Sequence, residues 1–126
     1  MAGTISVTAA LQARNQDENW DSGKVGQAQL SFVQNNPGGG VPGTITVPVA
    51  GVDVDLSELG VQGWARLQNL DGTNFVQHGP KSGGTFYPYG KMEPGEPAEF
   101  RLDPGATVHL KADTADCLVQ VLVMED

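Results

Sequence analysis

A chain of 126 residues, 39% of them apolar and only 17% charged, is long enough to bury a core as one domain. Its 17 Gly and 8 Pro lack the three-residue period of collagen, and they recur too often for long helices, since each costs about 1–3 kcal/mol inside one. A net charge of −8, from 15 acidic and 7 basic residues, disfavours a phosphate-backbone partner and suits solubility or docking on a basic protein surface.

Residues 4–13 read as a first strand, with Ile5, Val7 and Leu11 on odd positions and Thr8 and Gln12 opposite. This period of two belongs to a sheet with one buried face. Residues 14–26 are polar and carry a lone Trp20, which suggests a surface loop with an exposed aromatic anchor. Alternation resumes over residues 27–34 through Ala28, Leu30 and Phe32. The run Asn35-Asn36-Pro37-Gly38-Gly39-Gly40-Val41-Pro42-Gly43 is the most loop-like in the chain.

Strands resume over residues 44–49, with Pro48 marking an edge or a strand end. Residues 52–56 suggest a short strand. Residues 55–60 suggest one helical turn, with Asp55 as N-cap, Glu58 three residues on and Gly60 as the stop. Residues 64–70 and 75–79 flank Asp71-Gly72, the signal of a type I′ hairpin. A second Gly-rich connection, residues 80–84, leads into a strand over 85–89, where Tyr87 and Tyr89 would share one face. Pro94-Gly95 and Pro104-Gly105 suit type II turns around an alternating strand over 98–102. Residues 106–112 alternate through Val108 and Leu110. Residues 117–124 are apolar almost throughout, as in a central strand covered on both faces. Strands spaced roughly ten residues apart predict an all-β fold, an antiparallel β-sandwich or jelly-roll-like barrel of about eight to ten short strands. One domain is expected over residues 1–126.

The search for chemistry returns little. His78 and His109 lack the spacing of a zinc site and are expected at the surface. The lone Cys117 permits no intrachain disulfide, and its apolar strand suggests an inert core thiol. The Gly-rich runs lack the Gly-Lys-Ser/Thr ending of a phosphate loop. Asp53 with Asp55, and Asp113 with Asp116, read as solvated turn acids rather than a glycosidase pair or a calcium loop. No catalytic, cofactor-binding or metal-ligating residue is expected, and no enzymatic activity. The N-terminus has neither the basic nor the apolar region of a signal peptide, and no window has the length of a membrane span. Synthesis in a reducing cytoplasm, without export or membrane insertion, is the expectation.

The order Gly63-Trp64-Ala65-Arg66-Leu67-Gln68-Asn69-Leu70-Asp71-Gly72-Thr73-Asn74-Phe75-Val76 is followed by Phe86-Tyr87-Pro88 and Met92-Glu93-Pro94-Gly95-Glu96. Next come Phe100-Arg101-Leu102-Asp103-Pro104-Gly105-Ala106-Thr107 and Lys111-Ala112-Asp113-Thr114-Ala115. Together with the opening residues 2–14, this order resembles small structural proteins encoded in the virion gene clusters of tailed bacteriophages. Its motifs are features of turns and strands, and residues 14–41 lie outside it. The resemblance implies a non-enzymatic virion component, a capsid decoration (cement) protein that docks on the major capsid protein or another virion protein. It implies a homo-oligomer, with a trimer around a local threefold among the arrangements, and no nucleic-acid or membrane partner. The alternatives are a tail, neck or fibre component, or a carbohydrate- or receptor-binding module using exposed aromatics. Trp20, Asn35, Asn36, Pro37, Tyr87 and Tyr89 are the expected partner-binding residues.

Overall fold

The period-two segments become strands in a computed structural model of the chain, and every pairing between them is antiparallel. The structure describes the backbone of Thr4–Ala9, Gln12–Arg14, Asn19–Asp21 and Ala28–Val33, then residues 40–125, with side chains from residue 43 onward. By backbone contacts the chain falls into two units, Met1–Pro37 and Gly38–Asp126.

In the first unit β1 (Thr4–Ala9) pairs with β4 (Ala28–Val33), from Thr4 opposite Val33 to Ala9 opposite Ala28. Between them β2 (Gln12–Arg14) and β3 (Asn19–Asp21) form an inner hairpin with Ala13 opposite Trp20. The strand expected over residues 4–13 is therefore two strands, and the loop expected over 14–26 contains a third. The polar–aromatic–polar triplet Asn19-Trp20-Asp21 is itself a short period-two pattern, and β2 supplies its partner.

Among its described residues the second unit holds ten strands: β5 (Gly40–Val47), β6 (Val52–Asp53), β7 (Gln62–Asn69), β8 (Val76–Gly79), β9 (Lys81–Ser82), β10 (Thr85–Phe86), β11 (Gly90–Met92), β12 (Pro97–Arg101), β13 (His109–Ala112) and β14 (Cys117–Glu125). Eight of them make two four-stranded sheets, ordered β12-β7-β14-β5 and β11-β8-β13-β6, while β9 and β10 form a separate hairpin. Along the chain these eight strands mostly alternate between the sheets, β8 and β11 being the consecutive pair that stays in one. This is the strand order of an eight-stranded jelly roll, built here as an open sandwich and not a closed barrel. No helix occurs among the described residues.

The core lies between the inner faces of the two sheets. One sheet contributes Val47, Ala65, Leu67, Cys117, Val119, Val121 and Val123; the other contributes Val76, Met92, Leu110 and Ala112. Burying one such Val, Leu or Met side chain is worth about 1.5–3 kcal/mol. Strand β14 is central in hydrogen bonding, as expected, but its odd residues are buried while Leu118 and Leu122 are 47% and 40% exposed. Coverage on both faces is thus corrected to coverage on one. Strand β5 starts at Gly40, earlier than expected, because Val41 and Pro42 already pair with Val123 and Leu122. Pro42 is tolerated because β5 is an edge strand, and the strand ends before Pro48.

The largest departure from expectation is at residues 69–74. β7 and β8 belong to different sheets, so Asp71-Gly72 is not the turn of a hairpin, and neither residue has a positive φ. The connection is an inter-sheet corner held by side chains. The buried Asn69 donates from Nδ2 to the carbonyls of Asn74 (2.8 Å) and Met92 (3.1 Å), and its Oδ1 accepts from the Asp71 N–H (2.9 Å). Asp71 Oδ2 in turn accepts from the N–H groups of Thr73 and Asn74. Asn and Asp favour such local bonds because a short side chain can satisfy the backbone where a ladder ends.

The turn with two positive φ values is instead Gly83-Gly84, at +57° and +81°, joining β9 to β10. The type II turns stand where expected: Gly95 and Gly105 have φ of +83° and +81°, closed by Glu96 N–H to Glu93 O and Ala106 N–H to Asp103 O. The helical turn expected over 55–60 is a single hydrogen-bonded turn, Leu59 N–H to Leu56 O. Asp55 accepts from the N–H and hydroxyl of Ser57, and Gly60 has no positive φ. The buried Glu125 takes up the Gly60 N–H at 2.7 Å, so a partner from the end of β14 replaces the expected glycine stop.

Asn69→Ala is expected to destabilise the protein by about 2–4 kcal/mol, because it orphans buried backbone groups at about 1–3 kcal/mol each. A shift in the urea midpoint without change of slope checks it. Asp71 is held below 3.8 by the N–H groups of Asn74 and then Thr73, so its stabilising effect is complete above that value and is lost as pH falls through the lowered one. Asp71→Asn is accordingly expected to be less stable than the parent at pH 6, with the gap closing below pH 3.8. Thermal midpoints measured across that range check the convergence.

Candidate functional site

The two histidines lie on neighbouring strands and face opposite ways. Leu110 of β13 stands across from His78 of β8, and His109 stands across from Gly79. His78 therefore shares the inner face with Val76, Leu110 and Ala112, while His109 lies on the outer face. The polar phase read for His109 is correct for its side of the strand. Both rings are nevertheless buried, at 5% exposure for His109 and 7% for His78, which corrects their expected placement at the surface.

Different elements bury them. Over His109, the β9–β10 hairpin brings the Phe86 ring to 4.7 Å, Asp53 Oδ1 lies 2.7 Å from Nδ1, and Gly51 leaves room beside Nε2 that a Cβ would fill. His78 stacks on Phe100 (5.9 Å between centroids, planes 10° apart) and meets Tyr89 edge-on at 4.9 Å. A Cβ on Gly90 would come within 2.8 Å of its Cε1 and Nε2, so only glycine lets β11 pass this close.

His78 forms part of the wall of a cavity of about 290 Å³ at one end of the sandwich, where apolar Phe100, Leu102 and Val108 stand beside polar Arg101, Asp103 and Thr107. Burial pushes its pKa below the ordinary 6.5, so the ring is neutral at pH 7. It meets aromatic rings, and its Nδ1, shielded from solvent, has no hydrogen-bond partner among the described residues.

Among the expected partner-binding residues, Tyr87 and Tyr89 are 57% and 65% exposed. They do not share a strand: β10 ends at Phe86, Tyr87 N–H bonds Pro80 O, and Tyr89 N–H bonds His78 O across Pro88. Tyr89 joins the cavity wall. Trp20 lies on β3, with its side chain outside the described part, and Asn35, Asn36 and Pro37 lie outside the described residues.

The acidic pairs are dispersed. Strand β6 ends at Asp53, which turns to His109, while Asp55 bonds Ser57. Asp113 and Asp116 lie in the bend between β13 and β14. Among the described residues no three of His, Cys, Asp and Glu come together as a metal site. Cys117 is buried, and its thiol is pushed up first by burial and then by Asp71, Asp113 and Asp116, which keeps it protonated and unreactive at pH 7. Sequence reasoning missed His78 and Phe100. The parity of His78 with Val76, two residues earlier, was the available signal for its inward side.

No family model, no curated protein and no solved structure matches the chain.

The unfolded chain binds a proton at His78 more readily than the folded one, so stability is expected to fall as pH drops through 6.5. Replacing the ring by a group that does not titrate, as in His78→Leu, is expected to flatten this part of the profile relative to the parent. Urea midpoints at pH 7.5 and 5.5 check it, and equal slopes for the two proteins contradict it.

Proposed function

We propose that this protein is a non-enzymatic structural component of a tailed-phage particle, a decoration protein that docks on the major capsid protein and stiffens the head. The observation that carries the proposal is the outer face of the β12-β7-β14-β5 sheet. There Leu118 and Leu122 stand exposed on the central strand, and Leu70, 46% exposed, is hydrogen-bonded through its N–H to Leu118 O. Leu118 and Leu122 flank Gln120 on this face, beside Arg66 and Gln68 of β7, and exposed leucines among polar residues on the outer face of a well-paired sheet add nothing to its own core and are available to a partner.

Three further features support the same reading. The turn motifs of the phage-like resemblance are architectural in this fold: residues 69–74 form the inter-sheet corner, and Pro94-Gly95 and Pro104-Gly105 turn the chain. The jelly roll is an architecture of viral capsid and lectin domains, an analogy of fold. The charge of −8 disfavours adsorption to packaged DNA. Repeated around a shell, many modest contacts of this sort add up through avidity. Location in the tail, neck or a fibre would use the same surface.

Purified tail-less heads are expected to contain the protein, and heads lacking it would overturn the decoration role; immunogold labelling separates head from tail. Leu118→Glu with Leu122→Glu is expected to abolish sedimentation with heads while leaving the far-ultraviolet circular dichroism spectrum unchanged, because both positions are exposed.

A further inference from the structure

We propose that the cavity lined by Tyr89 and the turn over residues 103–106 is a binding site for one neutral pyranose ring. The proposal does not rest on docking to a phage head. The cavity, about 290 Å³, lies near the lower end of small-molecule sites, which run roughly 300–1,000 Å³, and suits a single sugar ring. Among the described residues its lining is of two kinds. Tyr89 and Phe100 supply aromatic surface, with the buried Leu102 and Val108 beside them. Arg101, Asp103 and Thr107, all exposed, supply polar groups.

Both kinds of surface are held in place by the fold. Tyr89 is 65% exposed, yet its N–H bonds His78 O at 3.2 Å. Its ring meets His78 at 4.9 Å and Phe100 at 6.4 Å, close to perpendicular to each. His78 thus steadies the aromatic platform, and its Nδ1, shielded from solvent, is not what the ligand meets. Asp103 and Thr107 bracket the Pro104-Gly105 turn, which Ala106 N–H to Asp103 O closes. Gly105 N–H pins that turn to β7 by donating to Gln62 Oε1 at 2.8 Å. Groups already fixed in the binding geometry reduce the ordering cost of binding.

The lining discriminates between ligand classes. An anion meets the charge of Asp103, and a cation meets that of Arg101, whose guanidinium lies 5.8 Å from the Trp64 ring centre. A flat hydrocarbon strips water from Asp103 and Thr107 without replacing its hydrogen bonds. A pyranose suits both kinds of surface. Its C–H groups pack on an aromatic ring, and its hydroxyls, each a donor and an acceptor, serve a carboxylate and a threonine hydroxyl alike.

The ring can be a free monosaccharide or the end of a polysaccharide. The test titrates the full chain with methyl pyranosides of glucose, galactose, mannose and N-acetylglucosamine, and with a trisaccharide of each sugar. Further probes are p-cresol, acetate and tetramethylammonium, and the amide resonances of Leu102 and Thr107 report binding. The expected result is saturable binding of at least one pyranoside with a Kd on the order of 1 mM, as ligand efficiency implies for about a dozen non-hydrogen atoms. Tyr89→Ala is expected to weaken it about three- to tenfold, and Asp103→Ala about tenfold. Both positions are exposed, so the circular dichroism spectrum is expected to stay unchanged. A trisaccharide that binds more tightly than its methyl pyranoside identifies a polysaccharide as the source; one that binds no more tightly identifies the free sugar. No saturable shift with any pyranoside, a non-sugar probe binding ahead of all of them, or unchanged affinity in both variants would each overturn the proposal. These outcomes read separately from sedimentation with heads, which depends on Leu118 and Leu122.

Discussion

The second unit depends on one buried amide. Asn69 closes β7, and its side chain carries the chain out of one sheet and into the other. Its Nδ2 bonds the carbonyl of Met92 on β11 and that of Asn74 ahead of β8, while its Oδ1 holds Asp71. Asn74 extends the network by accepting from the Thr114 hydroxyl in the bend before β14. The backbone of Asn69 completes the junction, with its N–H on Glu96 O and its carbonyl on Gly95 N–H. One residue thus sets the height of β7, β8, β11 and β12 relative to each other. An apolar side chain of similar size could fill the space but would leave the carbonyls and N–H groups of this corner buried and unpaired.

A corner of that kind is needed because the strand order is so non-local. β5 pairs with β14, whose register runs from Cys117 opposite Val47 to Met124 opposite Gly40, joining segments near the two ends of the unit. β6 likewise finds its partner in β13, with His109 opposite Asp53. No short hairpin sets these registers, so they rest on the fit of alternating side chains and on fixed corners. Topologies dominated by such pairings fold slowly, since the loops must close before the contacts form. Once formed, the sandwich has a covered core, an edge strand β12 faced with Glu99 and Arg101, and an Arg66–Glu99 ion pair across β7 and β12 at 2.9 Å. Charges along that edge discourage stray strand pairing more than they stabilise the fold.

The legible part of this structure was local. Alternation revealed the strands, and Pro-Gly revealed the turns at residues 95 and 105, because φ is a property of the residue in its own turn. Asp71-Gly72 misled for the same reason. The dipeptide satisfies a hairpin rule, but the decision between hairpin and corner rests with Met92 and Thr114, which no local window contains. The histidines repeat the lesson at the level of the site. Parity placed His109 on the right side of its strand, yet Phe86, arriving from a hairpin, and Gly51, arriving from the β5–β6 turn, decided that it would be buried. The wall beside His78 was hidden still further, since Phe100 belongs to the other sheet and Tyr89 to an irregular connection.

The two buried imidazoles are held in different ways. His109 is packed, covered by an aromatic ring and matched by a carboxylate, which suffices for a structural role in fastening β6 and the hairpin to the sheet. His78 has the same elements of burial, an aromatic neighbour and a glycine pressed against it, but among the described residues no group bonds its Nδ1. If packing were its whole purpose, a leucine or phenylalanine would serve better, because neither carries a polar atom into an apolar wall. The fold accommodates that polar atom by keeping the ring neutral, since burial lowers its pKa.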